Sequence, residues 1–191
     1  AIKSGVARKT ITDWDAYKKG LMELLGQESK LTRKLHDTAR LHPQRVVFAE
    51  GGHPTMMKAA VQAKTEGICQ PILLGNPDRL NRLAQRLKLD LSDIEIIDMR
   101  ADQEQGRRAT YAKHLAKKRA RQGYNFEEAY DKMYERNYFG MMMVETGEAD
   151  AFITGLYTKY SNTIKVAKEV VGIRPEYKTF ATMHILHTKK G

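Results

Sequence analysis

The sequence predicts an α/β fold of three layers, in which a mostly parallel, doubly wound sheet is covered by helices on both faces. Short apolar runs typical of buried strands occur at residues 45–49, 70–74, 94–97 and 150–154. Helical patterns with apolar residues three and four positions apart separate these runs. Strands that alternate with helices in this way favour a parallel sheet, joined by right-handed crossovers.

Two helices are predicted ahead of the first strand. Residues 1–12 show no period and are expected to be a linker. Thr12 or Asp13 can cap the first helix, because a short oxygen-bearing side chain accepts from the first free backbone N–H groups. The second helix is predicted over residues 29–41, and Pro43 ends it.

Two loops that follow strands carry glycine and proline. Residues 50–54 (Glu-Gly-Gly-His-Pro) match neither a dinucleotide fingerprint nor a P-loop. His53 is expected to be an exposed loop residue and not a base, because no Ser, Asp or Cys partner lies near it in the sequence. Residues 75–78 (Gly-Asn-Pro-Asp) predict a turn that opens a helix, and no chemistry is assigned to them.

Residues 126–171 predict one long helix, a strand, a polar loop and another helix. The apolar stripe of the long helix runs over residues 126–144, and Gly147 ends it. The strand at 150–154 leads into a loop over 156–162, and helical spacing resumes over 163–171. In an open parallel sheet such a loop lies beyond the carboxyl end of a strand, where ligands bind. The next helix there offers free N–H groups to an anion.

The bulk composition predicts a globular, cytoplasmic protein with anionic partners. The chain has 33 Lys and Arg residues against 23 Asp and Glu residues, a formal net charge of +10. Much of the excess lies on one predicted helix, around most of its circumference, and a solvated surface is the favoured interpretation. Nucleic acid is an unlikely partner because no one-sided basic stripe with aromatic residues is evident. No membrane span is predicted, and Cys69 is expected to be buried.

Residues 137–155 (Asn-Tyr-Phe-Gly-Met-Met-Met-Val-Glu-Thr-Gly-Glu-Ala-Asp-Ala-Phe-Ile-Thr-Gly) resemble a run found in the phosphate acetyl/butyryltransferase family. The resemblance favours the version of this domain that is fused behind the malic enzyme part of bacterial NADP-dependent malic enzymes. Residues 4–8 and 13–17 look like the exit from that malic enzyme part.

The resemblance implies a fold of the isocitrate/isopropylmalate dehydrogenase kind, preceded by the N-terminal helices. Residues 1–12 would link to an upstream malic enzyme domain, residues 13–43 would form the helices, and residues 44–191 would be the first half of a phosphotransacetylase-like domain. A strand over 178–186 is expected to open the second half, so the chain would end before that subdomain is complete. No catalytic residue, metal site or cofactor is assigned to this chain, which is expected not to catalyse acetyl transfer by itself.

The resemblance also implies a ligand site after the strand at 150–154. Active phosphate acetyltransferases carry an Asp-Thr-x-Arg-Pro run there, and this chain has Asn-Thr-Ile-Lys-Val at residues 162–166. Lysine keeps the charge of arginine but loses its planar fork. A second family arginine is matched by Arg119. The residues predicted to bind acetyl-CoA or phosphate are Glu50, Arg119, Tyr160, Ser161, Asn162, Thr163 and Lys165.

The function expected from these observations is that of a regulatory, oligomer-forming domain that binds acetyl-CoA or a similar anionic metabolite. The parent enzyme would oxidatively decarboxylate malate to pyruvate with NADP and a divalent metal, Mg or Mn. Two alternatives stay open. One is half of an active phosphate acetyltransferase acting on acetyl phosphate and CoA, and the other is a basic nucleic-acid-binding module, whose affinity would fall steeply with salt.

Overall fold

The computed structural model describes residues 13–24, 30–181 and 183. The described residues divide into two compact units, one with residues 13–24 and 30–38 and the other with residues 39–181 and 183. In the first unit, α1 (Trp14–Leu24) begins at Asp13, whose Oδ1 accepts from the N–H groups of Asp15 and Ala16 at 3.0 and 2.9 Å. Asp13 therefore caps α1, as one of the two predicted alternatives. The predicted linker over residues 1–12 lies outside the described residues.

The helices and strands follow the predicted alternation. After α2 (Lys30–Leu41), the order of elements along the chain is β1 (Gln44–Phe48), α3 (Pro54–Thr65), β2 (Cys69–Leu74), α4 (Pro77–Leu87), β3 (Glu95–Ile97), α5 (Gln105–Arg119), α6 (Phe126–Lys132), α7 (Arg136–Glu145), β4 (Ala151–Ile153) and α8 (Tyr160–Val170). Each of the four predicted strands is present, within one residue of its predicted ends.

The four strands form one parallel sheet in the order β3-β2-β1-β4. Val47 of β1 lies opposite Ile72 of β2 on one side and Phe152 of β4 on the other. The chain moves outward from β1 to β2 and β3, and then returns to place β4 on the other side of β1. The strand order therefore reverses between β1 and β4, and ligands bind at such a switch point in open α/β sheets.

Two apolar clusters show that helices cover both faces of the sheet. Val46 and Phe48 of β1 pack with α3 and α4 on one face. Val47, between them in sequence, packs on the other face with α5, α6, α7 and α8. Successive side chains of a strand point to opposite faces, so a strand buried on both sides reads as continuously apolar. The three-layer prediction is confirmed.

Side-chain caps begin α3 and α4, and both helices start with proline. His53 Nδ1 accepts from the N–H of Thr55 at 3.2 Å, and Asn76 Oδ1 accepts from the N–H of Arg79 at 3.2 Å. The predicted turn at 75–78 is therefore present. His53 was expected to be exposed but is half-buried, because its ring packs edge-on against Tyr157 with centroids 5.0 Å apart.

The single long helix predicted over residues 126–144 is wrong, since the chain forms α6 and α7 with a break between them. The N–H groups of residues 133–135 each donate to the carbonyl three positions earlier, at 2.9–3.2 Å, which tightens the end of α6. Glu135 then adopts an extended conformation (φ −93°, ψ 128°). An apolar stripe continues across such a short break, so periodicity does not detect it. The break creates a second helix N-terminus.

Helix α7 approaches the sheet closely at Gly140. A Cβ atom added there would lie 2.5 Å from Cε2 of Phe152 and 3.1 Å from Cδ1 of Leu74. Real Cβ atoms do not come so close to other carbon atoms, so only glycine allows this packing. The spacing between α7 and strands β2 and β4 therefore depends on the absence of a side chain.

The basic helix α5 is the expected solvated surface only in part: Lys113 and Lys117 are exposed, but three other cations contact neighbouring segments. Arg108 is 2 % exposed, and its Nη1 donates to the carbonyls of Met99 and Ala101 at 2.7 and 2.8 Å. Its guanidinium also lies 4.6 Å from the centre of the Tyr134 ring. At the end of the helix, Arg119 and Lys118 bond to carbonyls of α8 and of the residue after it. These cations hold neighbouring segments together.

Two further predictions concern the last part of the chain. Helix α8 begins at Tyr160 instead of Thr163, because the N–H groups of Asn162 and Thr163 already donate to the Lys159 carbonyl at 3.0 and 3.3 Å. Residues 178–181, predicted to open a strand, lie in neither helix nor strand, and positions 182 and 184–186 fall outside the described residues. Among the described helices, none has both the length and the apolar character that a membrane crossing requires.

Candidate functional site

A cleft of about 990 Å³ opens at the carboxyl edge of the sheet. It lies over the loops that follow all four strands and over the first residues of α4, α7 and α8. This is where parallel-sheet proteins bind ligands, and helix N-termini there favour anions. The polar residues that line it are Glu50, Asn76, Arg79, Asp98, Arg100, Glu135, Arg136, Asn137, Tyr157, Thr158 and Asn162.

Glu50 bridges the two loops that diverge at the switch point of the sheet. Its side chain is 1 % exposed and follows β1, whereas all of its hydrogen-bond donors follow β4. Oε2 accepts from the N–H groups of Gly155 and Leu156 at 3.1 and 2.6 Å. Oε1 accepts from the N–H of Tyr157 at 2.8 Å and from the Thr158 hydroxyl at 3.5 Å. One carboxylate therefore determines the path of the loop in front of α8.

The charge of Glu50 is stabilised by these donors. Burial raises the pKa of its carboxyl, but the backbone N–H groups of residues 155–157 and the nearby Arg136 guanidinium lower that pKa by more than burial raises it. The net pKa therefore lies below its ordinary value. The carboxylate is thus ionised at neutral pH, and both of its oxygens are occupied by the protein's own loop. This arrangement suits a positioning residue better than a proton donor.

Three arginines supply positive charge to the cleft, and sequence reasoning missed all of them. Arg79 lies in the first turn of α4, Arg100 follows β3, and Arg136 is the first residue of α7. All three are exposed, and none has a carboxylate oxygen of the described residues within 4.0 Å of its guanidinium. Arg136 lies 5.7 Å from the centre of the Tyr157 ring. Each of the three lies shortly after a strand or at the start of a helix, and this position is the feature of the sequence that could have identified them.

The acidic groups of the cleft do not neutralise these arginines directly. Asp98 Oδ2 accepts from the side-chain amide of Asn76 at 3.1 Å, and Oδ1 accepts from the N–H of Arg100 at 3.1 Å. Asp98 therefore ties the loop after β3 to the turn after β2. The arginine side chains keep their donors for a ligand.

Residues 30–191 match the family model described as phosphate acetyl/butaryl transferase. This chain belongs to that family. The match includes every strand of the sheet and every loop of the cleft, so the predicted resemblance is confirmed.

The similar proteins are of two kinds. The NADP-dependent malic enzymes of Salmonella typhimurium and Escherichia coli are 32% and 31% identical over 195 residues. In both cases the match covers 100% of this chain and 25% of the relative, so the chain spans about a quarter of their length. The phosphate acetyltransferase of Thermoanaerobacterium thermosaccharolyticum is 30% identical over 82% of this chain and 46% of its own.

Solved structures agree with this family membership. The EutD phosphotransacetylase from Staphylococcus aureus superimposes with a TM-score of 0.66 and 25% identity. That superposition covers 77% of this chain and 44% of the other chain. The parallel-sheet fold with helices on both faces is therefore the fold of phosphotransacetylases.

Within this phosphate acetyl/butaryl transferase domain, the predicted ligand residues separate into two groups. Glu50 and Asn162 line the cleft, whereas the other five, Arg119, Tyr160, Ser161, Thr163 and Lys165, do not. Tyr160 and Ser161, in the same first turn of α8 as Asn162, are exposed, and the buried hydroxyl oxygen of Thr163 has no hydrogen-bond partner among the residues that the structure describes.

Lys165 and Arg119 lie together, apart from the lining of the cleft. Lys165 Nζ is 4.0 Å from Glu169 Oε1, and its side chain is 71% exposed. Arg119 donates to the carbonyls of Lys168 and Glu169, both at 2.6 Å. Asn162 and Val166 line the cleft, whereas Lys165 does not, and it pairs with Glu169 one turn further along α8.

Glu169 is the centre of a second group of polar side chains, here called the Glu169 cluster (Glu169, Tyr124, Tyr138 and Lys132), in which Tyr138 is buried and the other three are half-buried. The Tyr124 hydroxyl donates to Glu169 Oε2 at 2.5 Å, and the Tyr138 hydroxyl donates to the same oxygen. Lys132 Nζ donates to the Tyr138 hydroxyl at 3.2 Å. Burial and the Glu169 carboxylate raise the pKa of Tyr124 to about 12 and raise that of Tyr138 as well.

The same tyrosine hydroxyls affect Glu169. Burial raises the pKa of its carboxyl, but the hydrogen bonds from Tyr124 and Tyr138, with the charges of Lys132 and Lys165, bring the net pKa below its ordinary value.

Elsewhere, Cys69 is buried and its thiol pKa is raised by burial. In the described ranges, no three His, Cys, Asp or Glu side chains are grouped to hold a metal ion.

Proposed function

We propose that this chain is the phosphotransacetylase-like domain of a bacterial NADP-dependent malic enzyme and that it binds acetyl-CoA or a related anionic metabolite in the cleft. Similarity to two malic enzymes extends over 100% of the chain, against 82% for the phosphate acetyltransferase relative. For the longer protein, we propose oxidative decarboxylation of malate with NADP and a divalent metal, performed by residues upstream of this chain. The domain would regulate that reaction and take part in oligomer formation.

The observation that carries the proposal is a cleft at the switch point of the sheet with three exposed arginines that lack carboxylate partners among the described residues. Its volume of about 990 Å³ suits a large metabolite. Arginine forms paired hydrogen bonds to phosphate and carboxylate oxygens. An anionic ligand would therefore find both space and donors there.

The loop held by Glu50 supplies a preformed wall for this ligand. Because the N–H groups of residues 155–157 already bind the Glu50 carboxylate, the ligand's own anionic groups must be bound by the arginines and by Asn162. Pre-positioned donors cost less ordering free energy when a ligand binds. Arg119 would act by holding the end of α8 in place, and Lys165 would act by attracting the ligand electrostatically.

Regulation requires that the ligand bind two states of the enzyme with different affinity. The cleft connects four loops through two side chains, Glu50 and Asp98. A ligand that contacts loops on both sides of the switch point would favour one relative arrangement of them. We propose this as the route by which binding changes the activity of the parent enzyme.

Calorimetric titration of acetyl-CoA into this chain tests the proposal. We expect saturable binding that weakens about 10-fold or more in Arg136→Ala, since hydrogen bonds to charged groups contribute about 1.5–3 kcal/mol. Arg82→Ala is the matched control, because it removes the same charge from α4 outside the lining of the cleft. Lys165→Ala and Arg119→Ala measure the contribution of the two positions that match arginines of the family. Absence of binding, or equal losses in Arg136→Ala and Arg82→Ala, would contradict the proposal.

A second candidate function is phosphate acetyl transfer, which the 30% identical phosphate acetyltransferase favours. Against it, this chain has Asn162 and Lys165 where active members resembling it carry aspartate and arginine, and Lys165 lies beside Glu169. Assay of acetyl-CoA formation from acetyl phosphate and CoA decides between them. We expect no turnover by this chain, and measurable turnover would favour the second candidate.

A further inference from the structure

We propose that one end of the cleft is a subsite for a diphosphate group, formed by the guanidinium groups of Arg79 and Arg100. The inference rests on the proposed function, because it concerns the same cleft, and it goes further by naming the chemical class that this end selects. The ligand is then a compound with at least two linked phosphoryl groups, and not a simple carboxylate or monophosphate.

The two arginines come from neighbouring strands. Arg79 follows β2 and Arg100 follows β3, and these strands are adjacent in the sheet. Adjacent strands are about 4.8 Å apart, so the two loops begin at that spacing on one edge. Arg79 and Arg100 line the same cleft. Two long, forked side chains there can each bind one of two linked phosphoryl groups. Arg136 lies further along the cleft, near Glu50.

The backbone that carries Arg100 is held by a buried cation. Arg108 is 2 % exposed, and its guanidinium donates to the carbonyls of Met99 and Ala101, the two neighbours of Arg100. Burial of a guanidinium is costly unless it is well hydrogen-bonded. The N–H of Arg100 also donates to Asp98 Oδ1 at 3.1 Å. Three hydrogen bonds thus fix the residue whose own side chain is exposed.

The backbone of Arg79 is tied into the same network. Its N–H donates to Asn76 Oδ1 at 3.2 Å, and the Asn76 amide donates to Asp98 Oδ2 at 3.1 Å. A continuous chain of hydrogen bonds therefore runs from Arg79 through Asn76 and Asp98 to Arg100. The two main chains are fixed relative to each other while neither guanidinium has a carboxylate partner among the described residues.

This combination points to a ligand. Segments that needed only stability would gain nothing from two like charges in one cleft, since like charges repel. A polyanion compensates both charges at once, and a fixed backbone keeps them placed for it. Inorganic pyrophosphate is the minimal probe of this arrangement, because it contains the diphosphate and nothing else.

The test is calorimetric titration with pyrophosphate at low, fixed ionic strength, with inorganic phosphate and acetyl-CoA alongside. We expect pyrophosphate to bind at least 10-fold more tightly than phosphate, and Arg79→Ala or Arg100→Ala to weaken it about 10-fold each. Arg100→Lys should show an intermediate loss, since lysine keeps the charge without the fork. Arg82→Ala, on the same helix as Arg79, should stay within about twofold of the unmodified chain.

Each outcome bears on the inference separately from the proposed function. Equal binding of pyrophosphate and phosphate, no binding of pyrophosphate, or unchanged binding in Arg79→Ala and Arg100→Ala overturns the diphosphate subsite. If acetyl-CoA still binds in those cases and depends on Arg136, the proposed function stands without the subsite. If pyrophosphate binds as expected and acetyl-CoA does not, the subsite stands and acetyl-CoA is the wrong ligand.

Discussion

Glu50 and Glu169 lie at opposite ends of the segment formed by the loop after β4 and α8, and they hold it by different means. Glu50 accepts hydrogen bonds from three successive backbone N–H groups, at 2.6–3.1 Å. Glu169 accepts from the side-chain hydroxyls of Tyr124 and Tyr138. The first carboxylate shapes the backbone of the cleft, while the second joins α8 to α7 and to the loop before α6.

The two ends of this segment differ in how many side chains hold them. The end of α8 near Glu169 is also held by Arg119, which donates to two of its carbonyls. The loop in front of α8 has Glu50 as the acceptor for the N–H groups of residues 155–157, and no second acceptor for them occurs among the described residues. A change at Glu50 should therefore disturb structure more than a change at Glu169, although both carboxyl groups have lowered pKa values.

Glu50→Gln should have the largest effect. The amide nitrogen of glutamine would face N–H donors and leave at least one of them unpaired in a buried site, so we expect a loss of about 3 kcal/mol in the free energy of unfolding. Urea unfolding measures it, and hydrogen exchange should show faster exchange at residues 155–157. The control is Glu95→Gln, an exposed carboxylate paired with Arg45, which should cost less than about 1 kcal/mol. Equal losses in the two variants would remove the distinction.

Glu169→Gln should cost less, about 1 kcal/mol in the free energy of unfolding. Glutamine keeps one carbonyl oxygen that can accept from a tyrosine hydroxyl, and Arg119 still holds the end of α8. Hydrogen exchange at residues 155–157 should remain as in the unmodified chain. If Glu169→Gln lowers the free energy of unfolding as much as Glu50→Gln does, the Glu169 cluster contributes as much to stability as the hydrogen bonds from residues 155–157 to Glu50.

The smallest expected effect is on the pH dependence of stability, which should differ between the Glu50 region and the Glu169 cluster. Glu50 has a folded-state pKa below its unfolded value, so its contribution is present above the unfolded pKa of about 4.5 and is lost as pH falls through the folded pKa. Tyr124 has a pKa raised to about 12, so its contribution is present below the unfolded value near 10 and is lost as pH rises through about 12.

Urea unfolding at a series of pH values from about 3 to about 11 checks this expectation. The difference between Glu50→Gln and the unmodified chain should shrink on the acid side. The difference between Tyr124→Phe and the unmodified chain should shrink on the alkaline side. Parallel profiles at both ends would mean that neither group titrates as described.

Much of the fold followed from the sequence because its causes are local. The strands were predicted from short apolar runs, and the burial of Val46 and Val47 on opposite faces reflects the two-residue period of any strand. Gly147 was predicted to end a helix, and its φ of 79° is the left-handed conformation that glycine adopts without strain. The position of the loop beyond β4 also followed, since the carboxyl ends of parallel strands share one edge.

The contacts of the cleft depend on contacts between distant parts of the chain. Glu50 lies 105 residues from Gly155 in sequence, and no local pattern relates a carboxylate to an N–H that far away. Arg79, Arg100 and Arg136 look like ordinary surface arginines until the strand order places them on one edge. Their grouping is a property of the sheet, which alone brings the loops after β2 and β3 together.

The orientation of α8 shows the same division. The sequence by itself determined that residues near 163–171 form an amphipathic helix and that the chain resembles the phosphate acetyl/butaryl transferase family. The pairing of Lys165 with Glu169, four residues apart, also follows from the helix itself. Only the tertiary structure decided that Asn162 lines the cleft while Lys165 does not. Each residue turns a helix by about 100°, so the burial of Val166 and Val170 in the core cluster sets where every polar side chain of α8 points.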